Sequence, residues 1–330
     1  MNKKVNLMII IIFISFIFVG CSTTKENDIM SNNNKINIVT TIFPTYDFVR
    51  QIGGENVNVT MLLKPGEESH SYEPTPKDIL NIQNSDLFIY VGGENDFWVD
   101  EILNSMGNNK PQTLKLLDIT NTLEEEIVEG MEDNHDHSHE DDHNHDHDHR
   151  HEDEVSIDEH VWTSPKNSIL IVKEINKILS EKDEKNSNMY NVNAENYIKS
   201  LENLDQEFRQ VVNNSKRKTI LFGDRFPFIY FAKEYGIDYY AAFSGCSTET
   251  EASPKTITFL INKVKEEQIP VVFTIEFSNG KIADTIVEAT NTKKMMLNSG
   301  HNLTKEQLES GVTFLSLMKE NVDILREALN

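Results

Sequence analysis

Histidine is the residue type through which this 330-residue chain can do chemistry, and its eleven histidines fall into two groups. Eight of them, His135, His137, His139, His143, His145, His147, His149 and His151, alternate with acidic and small polar residues between positions 134 and 151. Neutral imidazole and carboxylate suit a borderline divalent metal such as zinc. A tract with no apolar residue and no period cannot join a core. It therefore offers many exchangeable metal positions and no fixed geometry, which is the behaviour of a collector. The other three, His70, His160 and His301, stand far apart in sequence. Brought together by a fold, three imidazoles would make one site of fixed geometry.

The hydrophobic pattern predicts how they are positioned. Strands are expected at 36–41, 57–63, 87–91 and 114–119, alternating with helices at 46–52, from the Thr75 cap with Pro76 at its first position, and at 97–106. A helix starting at Ser164-Pro165 and another at 194–212 form a long helical connector. The pattern then starts again, with strands at 219–222, 237–242, 271–276 and 294–297 and helices at 227–235, 254–267, 281–290 and 304–328. Thr304 with Gln307 makes a capping box for the last helix. Alternating strands and helices imply an α/β fold with two parallel-sheet lobes, and ligands in such folds sit beyond the carboxyl ends of the strands. His70 lies between a strand and a capped helix, His160 just before a capped helix, and His301 just after the last strand. A cleft between the lobes is the expected site.

Charge and the N-terminus narrow the class. The formal net charge is −23. Residues 124–159 hold 17 acidic residues against one basic residue, Arg150. This balance excludes a nucleic-acid footprint or a basic membrane-surface protein. Two cysteines are too few for a disulfide framework. Lys3 and Lys4 followed by an apolar run at 7–19 read as a signal peptide over residues 1–20. Phe18-Val19-Gly20-Cys21 resembles a bacterial lipobox, with Phe where Leu is usual, and predicts a lipid anchor on Cys21 and a tether over 21–35. The expected location is extracytoplasmic, on the outer face of the cell membrane.

Two motifs carry a family resemblance. His70-Ser71-Tyr72-Glu73-Pro74-Thr75-Pro76 and Asp158-Glu159-His160-Val161-Trp162 resemble the first two metal-ligand motifs of the zinc/manganese substrate-binding lipoproteins of ABC transporters. The acidic His-rich insertion before the second motif resembles the high-affinity zinc-uptake branch of that family, which is also called the metal-binding adhesin lipoprotein family. Over residues 36–330 the resemblance implies two α/β lobes joined by a long rigid helix, with the metal between them. It divides the chain into a lobe at 36–163 containing the His/Asp-rich loop 124–157, connecting helices at 164–215, and a lobe at 216–330. It implies a monomeric binding protein, not an enzyme, that captures Zn²⁺ and hands it to an ABC transporter permease driven by its ATPase, with no nucleic-acid partner.

The resemblance is incomplete in the second half. The family's third ligand, His or Glu, would fall at Gly223, and its fourth, an Asp after the final strand, near Asn298. His301 is the substitute at hand and Asp224 can supply a carboxylate, giving an expected set of His70, His160, His301 and Asp224. Glu249, Glu251, Glu276 and Cys246 are further donors near strand ends, and Glu276 has the alternative role of holding a ligand histidine in its tautomer. Three imidazoles suit Zn²⁺ better than Mn²⁺, the runner-up, which prefers oxygen donors. The other readings are a manganese or iron receptor of the same family, a surface adhesin, or a secreted zinc hydrolase. The hydrolase would require an open coordination position, and the sequence has no His-Glu-x-x-His helix.

Overall fold

The computed structural model describes residues 35–68, 71–131, 156–249 and 251–330. The expected signal peptide, Cys21, His70 and the eight-histidine tract lie outside the described residues. Residues 35–330 form one compact unit.

The first sheet contains β1 (Ile36–Thr40), β2 (Val57–Met61), β3 (Leu87–Tyr90) and β4 (Gln112–Lys115), all parallel in the order β2-β1-β3-β4. Helices α1 (Phe43–Gly53), α2 (Pro76–Gln83) and α3 (Phe97–Met106) connect them. The second sheet contains β5 (Thr219–Phe226), β6 (Asp238–Ser244), β7 (Val271–Thr274) and β8 (Lys293–Met296), parallel in the order β6-β5-β7-β8. That is the topology of the first sheet repeated. Its helices are α6 (Ile229–Tyr235), α7 (Pro254–Glu267) and α8 (Lys281–Thr290). The central strands are continuous apolar runs, because both faces of a parallel sheet are covered: all four residues of β3 and all four of β7 are buried.

Between the sheets the chain forms α4 (Pro165–Lys182) and α5 (Ser187–Asn213), which pack against each other. The connector is thus a pair of helices, the second 27 residues long, or about 40 Å at 1.5 Å per residue. The expected helix at 304–328 is also two pieces, α9 (Lys305–Glu309) and α10 (Phe314–Ala328). Gly311 adopts φ +79° between them, and Thr313 opens a new capping box with Ser316. The expected strand at 114–119 is the end of β4 followed by a 3-10 turn at Leu116–Asp118.

One hydrophobic cluster runs through both halves. It links Ile38 and Phe48 of the first half with Ile175, Leu204 and Phe208 of the connector and with Phe222, Phe314 and Leu325 of the second. Within this apolar layer Asp47 of α1 is fully buried. Its carboxylate accepts the Phe314 backbone N–H at 2.9 Å, Gln51 Nε2 at 3.0 Å and the Tyr197 hydroxyl at 3.5 Å. A carboxylate from one half thus satisfies an orphan donor at the start of a helix from the other. Burial pushes its pKa up, and these donors oppose the shift. Asp47→Ala leaves the Phe314 N–H without a partner and should cost about 1–3 kcal/mol, whereas Asp47→Asn, which keeps an acceptor, should cost less. Urea denaturation of the two variants checks this order, and equal losses would contradict it.

Candidate metal centre

His160 stands at the N-cap of a short 3-10 turn (Val161–Thr163) that leads through the Ser164 cap into α4. The turn is held from within. Asp158 accepts the His160 backbone N–H at 2.8 Å, Thr163 Oγ1 donates to the His160 carbonyl at 2.8 Å, and Ser168 Oγ donates to the Trp162 carbonyl at 2.8 Å. Tyr230 of α6 donates its hydroxyl to the Asp158 carbonyl at 2.5 Å. The oxygen of Asp158 that takes the His160 amide also lies 3.2 Å from His160 Nδ1. A proton on Nδ1 makes that bond and assigns the ring's lone pair to Nε2. Burial disfavours the imidazolium, but the charge and hydrogen bond of Asp158, with Glu159, outweigh it and raise the His160 pKa. The close fit requires Gly245, where a Cβ would stand 2.6 Å from Asp158 Oδ2 and 3.2 Å from His160 Nδ1.

His301 follows β8 on a turn tied down at every residue. Asn321 of α10 accepts the Asn298 N–H at 3.0 Å and donates to the Asn298 carbonyl at 2.7 Å. Glu276, two residues past β7, accepts Ser299 N–H at 2.8 Å, Ser299 Oγ at 2.5 Å and His301 N–H at 3.1 Å. Burial raises the Glu276 pKa, and the donors on Ser299 and His301 act against it. Gly300 has φ +73°, and a Cβ there would press on Phe314 and Met318 at 3.0 Å. The segment then bonds to the first half. Phe43 N–H donates to the His301 carbonyl at 3.2 Å and Gly66 N–H to the Leu303 carbonyl at 2.9 Å, while Asn302 Nδ2 donates to the Lys64 and Glu67 carbonyls at 2.8 Å. The indole of buried Trp162 donates to the Ser299 carbonyl at 2.9 Å.

These loops bring two of the expected residues together. The rings of His160 and His301 lie 5.7 Å apart at 84°, and Trp162 packs against both, at 5.3 and 5.0 Å. They border an inner chamber of about 20 Å³, which Glu276, Glu67, Glu68 and Arg225 also line. Beside it is an outer chamber of about 300 Å³ lined by Glu68, Arg225, Phe277, Asp224, Glu249 and Ser278 among others.

Asp224 lines the outer chamber and not the inner one. β5 runs to Phe226, and its register with β6 shifts between Phe222 and Arg225, so two residues oppose one. Such a bulge re-aims side chains. Asp224 borders the outer chamber, where it accepts its neighbour's N–H (Arg225) at 2.9 Å, Ile275 N–H at 3.5 Å and a bond from Ser278. Arg225 borders both chambers. Sequence reasoning passed over it. The available signal was Gly223 within a strand, since glycine there marks a bulge or a close approach; a Cβ on Gly223 would meet the Ala283 backbone of α8 at 2.6 Å.

Of the further donors, Glu249 is exposed on the outer chamber and Glu251 is exposed. Cys246 Sγ, Asp158 and His160 offer ligand atoms within 4.8 Å of one another. Burial, followed by the charges of Asp158, Glu159 and Glu125, pushes the Cys246 thiol pKa well up, whereas a bound cation would act the other way. His70 lies outside the described residues; Glu68 and Ser71 on either side of it both line the outer chamber.

Comparison with known proteins places the chain among zinc-uptake components. The family model described as zinc-uptake complex component A, periplasmic, matches residues 38–328. The high-affinity zinc uptake system protein ZnuA of Bacillus subtilis is 33% identical over 310 residues, covering 94% of this chain and 92% of that protein. The zinc-binding lipoprotein AdcA of Streptococcus pneumoniae is 30% identical over 328 residues; the match takes in 98% of this chain but 61% of AdcA, which is the longer protein. Among solved structures, the Zn(II)-bound ZnuA-like domain of Streptococcus pneumoniae AdcA superposes with a TM-score of 0.70 at 28% identity, covering 89% of this chain and 99% of that one. The metal-dependent lipoprotein YcdH of Bacillus subtilis gives 0.72 at 29% identity, with the same coverages of 89% and 99%.

A third cavity, about 20 Å³, lies toward the first sheet and is shared by His160, His301, Trp162, Glu159 and Asp96. One oxygen of Asp96 accepts both Val91 N–H and Gly92 N–H at 2.9 Å, and burial pushes its pKa from 3.8 up to about 6. A carboxyl whose pKa is raised on folding contributes stability that is full below the unfolded value and is lost as pH rises through the folded one. Asp96→Asn keeps the acceptor and removes the ionisation. The variant should therefore gain stability on the parent between pH 4 and pH 8, by at most roughly 3 kcal/mol. Urea titrations across that range test this, and a difference independent of pH would contradict it.

Proposed function

The chain belongs to the zinc-uptake complex component A family, and from that premise we propose that it is an extracytoplasmic receptor that captures Zn²⁺ and delivers it to an ABC transporter permease. Cys21 anchors it to the outer face of the membrane, and it acts by binding and release, without turning over a substrate. The protein works as a monomer, and its route into the cell is the permease with its ATPase.

The observation that carries this reading is the pair of imidazoles. His160 comes from the turn before α4 and His301 from the loop after β8, and their rings stand 5.7 Å apart beside a chamber with room for about one water-sized occupant. The Nδ1 contact of His160 with Asp158 is the outer hydrogen bond that metal-ligating histidines make, fixing tautomer and orientation. With His70 these rings give three neutral nitrogen donors, a set that favours zinc over oxygen-seeking metals. Glu276 is the buried one of three described carboxylates, with Glu67 and Glu68, that line the inner chamber. Its bonds to Ser299 and His301 N–H suit it to holding the His301 loop in place. Asp224, on the outer chamber, is better suited to drawing the cation in. The His-rich tract serves as an auxiliary collector and is not part of the tight site.

His70→Ala, His160→Ala and His301→Ala should each weaken zinc binding at least about a hundredfold, more than the 10–100-fold of an outer-shell change. Removing residues 134–151 should lower zinc stoichiometry and keep one tight ion per chain. Competition titration against a chelator of known affinity, with circular dichroism as the fold control, measures both. Loss of tight binding in the deletion variant would place the site in the tract instead.

A further inference from the structure

Among the described residues, three line both the inner and the outer chamber, Glu68, Arg225 and Phe277. Glu68 lies on the segment after β2 and Arg225 on β5, so the partition draws on both halves of the molecule. Arg225 Nη2 donates to Glu68 Oε2 at 2.8 Å, and Nη1 approaches the Ser247 carbonyl at 3.4 Å. The arginine side chain is 11% exposed and the glutamate 37%. Phe277 completes the partition with a backbone φ of +62° and 41% exposure. A bulky side chain in the left-handed region is rare and strained, and such strain concentrates at functional segments.

The chemistry of the partition differs from that of a metal site. A guanidinium cannot ligate a cation, and its charge repels one that approaches. The inner chamber, at about 20 Å³, admits one ion stripped of most of its water, whereas the outer chamber, at about 300 Å³ and rimmed by Glu68, Asp224 and Glu249, has room for a hydrated one. Among the described residues, the Glu68–Arg225 pair and Phe277 form the boundary between the two.

We propose that the Glu68–Arg225 ion pair, backed by Phe277, is a gate between a hydrating outer chamber and the inner metal chamber, and that it sets the rate of zinc entry and release. The proposal rests on the zinc-receptor reading of the inner chamber. Closed, the pair spans the boundary between the chambers; opened, Glu68 swings with the ion while Arg225 stays with Ser247. The pair therefore acts on the barrier to exchange in both directions.

Two measurements separate the gate from the reading it rests on. In the metal-free protein, carbethoxylation of His160 by diethylpyrocarbonate, followed by peptide mass spectrometry, reports access to the inner chamber without any zinc. Glu68→Gln and Arg225→Gln, each removing a charge-assisted bond, should speed it about tenfold, and the charge-swapped pair Glu68→Arg with Arg225→Glu should restore the slow rate. In the zinc-loaded protein, release to excess chelator and uptake by stopped flow should accelerate together in the single variants. Unchanged His160 reactivity in both single variants, with circular dichroism intact, would overturn the gate. So would fast reactivity in the swapped pair. Failure of the parent protein to hold zinc would instead overturn the receptor reading, and the carbethoxylation result would still decide the gate.

Discussion

Residues 298–303 follow the last strand of the second sheet, yet their hydrogen bonds divide between the two halves of the molecule. Phe43 N–H, Gly66 N–H, the Trp162 indole and the two carbonyls taken by Asn302 fasten this segment across the molecule, and Glu276 and Asn321 fasten it to its own half. The pairing of His160 with His301 follows from that clamp. Without it, a ring on β8's loop and a ring at the start of α4 would have no fixed relation. The clamp sits on an apolar layer that is itself continuous, since α1, α4, α5 and α10 share one cluster with strands of both sheets. Opening the molecule as two rigid halves would break this layer and expose large buried rings such as Phe48, Phe208 and Phe314 at about 1.5–3 kcal/mol each. Motion that admits an ion is therefore cheaper at side chains and loops around the chambers than at the layer between the sheets.

The β5 bulge adds a second constraint. One extra residue after Phe222 separates the directions of Asp224 and Arg225, so the cation of that pair borders the histidine chamber and the anion only the outer one. A positive charge near a metal position lowers affinity and, at His160, opposes the carboxylates that raise the pKa. A receptor that must release its ion to a partner gains from such a charge, because binding that is too tight would stop delivery. The enclosed acids Glu276, Glu159 and Asp96 lie around the rings with pKa values shifted upward by burial, so they contribute less negative charge than their number implies.

Much of this was legible in the sequence. The strand and helix alternation specified two parallel sheets because buried parallel strands read as continuous apolar runs, and caps at Thr75, Ser164 and Thr304 marked helix starts to the residue. The approach of the His160 and His301 rings was legible from their positions before a cap and after a strand. The position of Asp224 on the outer chamber was not legible, because a period-two reading of β5 does not contain the bulge, although Gly223 hinted at it. The single helix expected at 304–328 failed for a similar reason. Its apolar period continues across the break, and only Gly311 and Thr313, taken together, mark the stop and the new cap.

The central claim is that one zinc ion is held by imidazoles contributed from both halves of the chain. X-ray absorption at the zinc edge, on protein lacking residues 134–151 and loaded with one equivalent of zinc, tests it most directly. The account predicts a first shell of nitrogen and oxygen with outer-shell scattering from three imidazoles, falling to two in His301→Ala. A sulfur shell, or a spectrum indifferent to His160 and His301, would contradict it.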